Sequence, residues 1–202
     1  MVRKLLLGTL GLVALVGVLL TAAWLSLRTT PAPRGRLLAT SEAERYLLAA
    51  ARAGDTEVVT GLLKAGTPVE ARDARGFSPL ILAAYHGHTD TVRALLAAGA
   101  DACAGDNRGN TALMGAAFKG YADVVALLNP QPCSVDQTNR FGQTALMFAS
   151  LFGRTEVVEQ LRKQGASPDA RDASGRSAVD WAATQAPQAP VAPAPEASAS
   201  AR

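Results

Sequence analysis

The stretch DARGFSPLILAAYHGHTDTVRALLAAGA, residues 73–100, decides how the chain folds. Gly76 permits a tight turn, Ser78 is a helix cap, and Pro79 stands at the first helical position, where its missing amide costs nothing. The apolar run that follows stops at Gly87, and a second run carrying Val92 and Leu95 stops at Gly99. One unit is therefore a projecting turn, a helix, a tight turn and a second helix. Working outward, the unit recurs: Asp73, Asp106, Asn139 and Asp172 are each 33 positions apart, as are Gly76, Gly109, Gly142 and Gly175, then Leu80, Leu113, Leu146 and Val179. Gly54, Gly87, Gly120 and Gly153 keep the same phase. A period of this length means stacked units, a solenoid rather than a closed globule.

Upstream, Ser41 followed by Glu44 is a capping box that opens a first helix, with Ala43, Leu47, Ala50 and Ala51 on one apolar face and Gly54 as its stop. A second short helix follows, with Val58, Val59, Leu62 and Leu63 expected inward and Gly66 closing it. Downstream, the last unit runs only to about Thr184, and Asp180 suits a terminal half-unit that must face water. The expected organisation is a leader over 1–28, a linker over 29–40 broken by Pro31 and Pro33, a repeat domain over 41–184, and an Ala/Pro-rich tail over 185–202 that cannot bury a core.

These segments, with Ala83-Ala84-Tyr-His-Gly-His and Val92-Arg-Ala-Leu-Leu-Ala-Ala-Gly-Ala, resemble ankyrin repeats. The resemblance implies an all-α solenoid of about four helix-turn-helix repeats plus a C-terminal capping half-repeat, with hairpin-like fingers between units and no enzymatic chemistry of its own. It also implies a structural place for His88 at the turn between helices. Departures from the family pattern are visible. The His of the family's Thr-Pro-Leu-His tetrad is replaced by Ile81, Met114, Met147 and Asp180, so apolar packing is expected to substitute for the hydroxyl-to-imidazole bond. In the third unit Asn129-Pro130-Gln131-Pro132 replaces the usual Gly-Ala exit, which predicts a shortened helix and an atypical finger. Mapped onto the family's concave face, the slots for partner binding are Arg75, Phe77, Tyr85, His86, Arg108, Asn110, Phe118, Lys119, Arg140, Phe141, Leu151 and Phe152. Exposed aromatics flanked by Arg are the residue types enriched at interface hot spots.

The N-terminus bears on compartment. Leu5 to Leu27 is uncharged, between Arg3 and Lys4 on one side and Arg28 on the other, and is long enough to cross a hydrocarbon core of about 30 Å. It reads either as a membrane anchor, with Trp24 at the interface, or as a signal peptide cleaved after Thr21-Ala22-Ala23. Both readings export the rest, anchored at a bacterial inner membrane with the repeats in the periplasm, or released there. Cys103 and Cys133 fall in neighbouring units near one edge. In an oxidising compartment they form a disulfide if their Cα atoms lie within about 7 Å, and otherwise are two half-buried thiols.

The net charge of +3 comes from the leader's basic residues, since 31–202 carries 17 basic and 17 acidic residues. A neutral domain offers nucleic acid no general electrostatic pull. His86 and His88 are the only histidines, too few for a zinc site that needs three or four ligands, and neither Cys has a neighbouring His to activate it. No metal, cofactor or catalytic set is expected. The expected function is that of a monomeric, non-enzymatic module binding a protein partner, with a membrane contact through the leader if it is uncleaved. The alternative is a regulator, immunity-like or stress-defence accessory, that modulates one envelope enzyme.

Overall fold

The computed structural model describes residues 41–184; the leader, linker and tail read from the sequence lie outside the described residues. Four helix pairs and a final single helix follow in order: α1 (Glu42–Ala53) and α2 (Thr56–Lys64), α3 (Pro79–His86) and α4 (Thr89–Ala97), α5 (Ala112–Lys119) and α6 (Ala122–Leu128), α7 (Ala145–Leu151) and α8 (Thr155–Lys163), then α9 (Ala178–Ala183). The first helices pack in series, α1 on α3 on α5 on α7 on α9, and the second helices likewise, α2 on α4 on α6 on α8. Each unit thus buries its apolar face against the next. Among the described residues no helix is long and apolar enough to cross a membrane.

Small residues set the spacing of the first layer. Ala83, Ala84, Ala116, Ala117 and Ala149 are fully buried, so successive first helices approach closely. Leu47, Leu80, Leu95, Met114, Leu146, Met147 and Leu161 are the large side chains that fill the space between layers. Ser78, Thr111, Thr144 and Ser177 are buried N-caps whose hydroxyls accept the amides of Ile81, Met114, Met147 and Asp180. Each such cap contributes about 1 kcal/mol. The residues standing where the family keeps His act in two ways. Ile81, Met114 and Met147 are buried in the core, whereas the Asp180 carboxylate accepts both the amide and the hydroxyl of Ser177, a polar staple in the terminal unit.

The glycines that mark the period serve the stack as well as the chain. Gly87 has φ 79°, in the left-handed region that closes α3, and a Cβ there would lie 2.9 Å from the Tyr121 ring of the next unit. In the same slot as Tyr121, His88 reaches back from α4 to the Arg52 carbonyl at 3.0 Å, and Arg154 donates to the Phe118 carbonyl at 3.2 Å. His88 is a fixed part of the inter-unit joint.

Two differences from the sequence reading have physical causes, and the third exit is short as its prolines predict. Val58 is 43% exposed although Thr91, Val124 and Val157 in the same slot are buried, because among the described residues no earlier unit packs against that face of α2. The fingers contain no strand among the described residues: each makes two bonds within its own turn, as from Asp73 N to Phe77 O and from Gly76 N to Asp73 O, and a single bond joins it to each neighbouring finger, too few for a ladder. At the third exit, α6 has only seven residues against nine in α2, α4 and α8. There the stack is held covalently. Elsewhere a carboxylate clasps the next unit, Glu70 accepting the Asp101 amide and Asp136 the Ser167 amide. Cys103 occupies the slot of Glu70 and Asp136, and it is joined by a disulfide to Cys133, with Cα atoms 5.4 Å apart.

Two stability tests follow from these joints. Gly87→Ala should lower the melting temperature well beyond Gly66→Ala, since Gly66 shares a positive φ but a Cβ there meets nothing within 4 Å. The difference isolates the Tyr121 contact from the conformational cost of about 1 kcal/mol. The double Cys103→Ser, Cys133→Ser variant should lose roughly 3 kcal/mol against the oxidised protein, the scale for a loop of this size, read by urea unfolding with and without reductant.

Candidate functional site

Each finger is held by one side-chain oxygen. Asp73 Oδ1 accepts the amides of Arg75 and Phe77, Asp106 Oδ1 those of Arg108 and Asn110, Asn139 Oδ1 those of Phe141 and Gln143, and Asp172 Oδ1 those of Ser174 and Arg176. Neighbouring fingers are tied by Asn107 N to Arg75 O, Arg140 N to Arg108 O, and Ala173 N to Phe141 O. With its backbone spent on these bonds, a finger presents its remaining side chains outward. Arg75, Arg108, Arg140 and Phe141 are exposed, Phe141 at 52%. Phe77 and Asn110 are half-buried at the finger bases.

Behind the fingers runs a row of rings from the ends of the first helices. Tyr85 stacks on Phe118 at 5.9 Å, Phe118 meets Phe152 edge-on at 4.4 Å, and Phe148 meets Phe118 at 6.4 Å and Trp181 at 6.3 Å. Tyr85 and Phe152 are 38% and 40% exposed, while Phe118 is half-buried between them. Leu151, in the register position of Tyr85 and Phe118, is half-buried like Phe118 and packs in part against the core. Fingers and rings enclose a groove of about 340 Å³ lined by Phe77, Ile81, Tyr85, Met114, Phe118, Phe141 and Phe148 together with Gly115.

Gly115, Ile81 and Phe148 were absent from the sequence-derived set. A signal for Gly115 exists in the register: its slot holds Leu82, Phe148 and Trp181 in three other units and Ala49 in the first. Gly115 lies inside α5, and a Cβ there would meet only Tyr85 at 3.7 Å, an ordinary contact. Neither a positive φ nor steric crowding requires glycine, which costs a helix interior about 1 kcal/mol relative to Ala.

The face is cationic where it is free. Arg75, Arg108, Arg140 and Lys119 pair with no carboxylate among the described residues; Arg75 lies over the Phe77 ring at 4.8 Å and Lys119 over the Tyr85 ring at 5.1 Å. The finger carboxylates each engage Oδ1 with the amides they hold, and Asn139 brings no charge at all. Its Nδ2 donates to Asn110 Oδ1 and Gln143 Oε1, so the polar groups at the groove's finger side satisfy one another. His86 has its pKa lowered first by burial and then by the positive charges around it, His88, Arg52 and Lys119. His86 and His88 stack at 6.1 Å, and no group of three or more His, Cys, Asp or Glu able to hold a metal is present among the described residues.

Comparison with known proteins adds one finding. A family model for ankyrin repeats, in three copies, matches residues 47–139 and 124–190, well over half of the chain. No curated protein matches the chain.

Asp172 closes the face at its C-terminal end. Burial works to raise its pKa, but hydrogen bonds from the Ser174 hydroxyl, the Arg176 and Ser174 amides and Trp181 Nε1 outweigh it and hold the carboxyl well below the ordinary range. The folded state therefore prefers the ionised group, a contribution complete above about pH 4 and lost as pH falls through the lower folded value. Trp181 fluorescence in a Trp24→Phe background should report acid loosening of the terminal half-repeat. Asp172→Asn should lower the melting temperature at neutral pH and flatten that acid limb, because the new Nδ2 would face the Trp181 N–H donor.

Proposed function

The chain belongs to the ankyrin-repeat family, whose repeats are generally protein-protein interaction modules, and we propose on that premise that it is a non-enzymatic binding protein of the cell envelope. It engages a partner protein through the fingers and the exposed ends of the first helices. The observation that carries the reading is the coincidence, on one face, of four cations without carboxylate partners and a connected row of half-exposed aromatic rings. Such a face contributes to binding because rigid aromatic side chains lose little conformational freedom and Arg adds directional donors.

Export rests on two supports. The uncharged segment from Leu5 to Leu27 has the length of a membrane span and the flanks of an export leader. A disulfide as the covalent joint between units suits an oxidising compartment, since cytosolic thiols are kept reduced. The repeat domain then stands in the periplasm, held at the inner membrane or released by cleavage of the leader.

Affinity isolation from a bacterial envelope fraction tests the reading. Phe141→Ala with Phe152→Ala, and separately Arg108→Glu with Arg140→Glu, should each reduce recovery of the bound protein at least tenfold while leaving the melting temperature within a few degrees, as expected for exposed positions. Undiminished recovery from both variants would remove this face as the binding surface. Alkaline phosphatase fused after Arg202 should be active if the C-terminal side is periplasmic and inactive if it is cytoplasmic.

A further inference from the structure

The groove over Gly115 names the chemistry of the partner. Its floor is open because glycine stands where the two neighbouring units carry Leu82 and Phe148, in a helix that would accommodate a Cβ. Its walls are the rings of Tyr85, Phe118 and Phe148, with Phe77 and Phe141 on the finger side. The volume of about 340 Å³ lies within the range of pockets that take small organic groups. Asp106, Asn110, Asn139 and Gln143 also line it, yet they are bonded to the finger amides and to one another, so the groove asks its occupant for apolar surface rather than for donors.

Charge decides what flanks that occupant. Arg75, Arg108, Arg140 and Lys119 are the cations of this face that pair with no carboxylate among the described residues. Glu57, Asp90, Asp123 and Glu156 are instead set at the starts of the second helices, α2, α4, α6 and α8. A cationic ligand would meet aromatic walls but also these four positive groups, with the one lining carboxylate, Asp106, already holding two amides. The geometry points to an extended acidic segment of a partner protein that inserts one large apolar side chain over Gly115 while its neighbouring carboxylates reach the finger arginines. This rests on the binding face proposed above and adds the identity of its anchor and the sign of its flanks.

The test uses the full chain in lipid nanodiscs and a displayed library of random peptides about twelve residues long. Enriched peptides should carry Trp, Phe or Leu among Asp and Glu, and their affinity should fall as salt is raised. Gly115→Leu, which restores the residue of the neighbouring unit, should weaken them at least tenfold, whereas Gly115→Ala should weaken them less than about threefold and raise the melting temperature. Because Gly115→Leu could disturb the fold, the unaltered protein supplies a second reading. A peptide bearing benzoylphenylalanine at the anchor position should photocrosslink to Met114 or Phe118. Enrichment of basic or uncharged peptides, no enrichment at all, or crosslinks elsewhere on the face with full binding to Gly115→Leu would overturn the inference. Binding that is lost in Arg108→Glu and Phe141→Ala but kept in Gly115→Leu sinks the anchor alone. Binding indifferent to all of these, with crosslinks off the fingers and first helices, sinks the binding face itself.

Discussion

One side-chain oxygen accepting two backbone amides is the interaction on which the stack depends. In all four fingers Oδ1 of Asp73, Asp106, Asn139 or Asp172 takes the amides two and four residues on, and this folds the loop back so that the next residues can cap a first helix. It also leaves one carbonyl free to accept from the following finger. Local turn, helix start and inter-unit bond are thus set by one contact, which is why the slot tolerates Asp and Asn and nothing longer. The choice between them is then available for another use. Asp172 is held ionised by the Ser174 hydroxyl, the Arg176 and Ser174 amides and Trp181 Nε1, and Asn139 can be neutral because Asn110 and Gln143 offer acceptors.

A solenoid has only nearest-neighbour interfaces, so its weakest junction limits cooperation between the two ends. Here that junction lies at the third exit, where Pro130 and Pro132 end α6 early. Compensation comes from different chemistry at the same place. Cys103 stands in the slot from which Glu70 and Asp136 clasp the following unit, and its bond to Cys133 ties the shortened exit to the unit before it. Gln137 adds a hydrogen bond to the Cys103 carbonyl. The irregular unit also contributes Gly115, so the place where the stack departs from its pattern is beside the groove.

Much of the fold was legible because the slots that make it are defined by backbone geometry, which allows few residue types. Glycine at a left-handed helix end, Ser or Thr at a buried cap and Asp or Asn in a finger each announce themselves at a fixed spacing. Val58 departs from the expectation because its slot is covered only where another unit packs against it, as at Thr91, Val124 and Val157. Leu151 shares its slot with Tyr85 and Phe118, and like Phe118 it divides its surface between the core and the face. The groove was missed for a different reason. Charged and aromatic side chains announce themselves in a sequence, whereas the feature at Gly115 is a side chain left out.

The aromatic row serves the fold and the face with the same rings. Phe118 is held by Tyr85 on one side and by Phe148 and Phe152 on the other, so its orientation is fixed before any partner arrives. Edge and stacked ring pairs of this kind contribute about 1 kcal/mol each beyond the area they bury. A ring that is already ordered has no rotamer freedom left to lose on binding, and the cost of assembling the contact surface is met during folding. The same economy limits what can change: removing a ring from the middle of the row loosens its neighbours, and a side chain larger than a methyl at 115 would press on Tyr85. Arg108 and Arg140, exposed on the fingers, are the positions whose charge can vary while the ring row stays as it is.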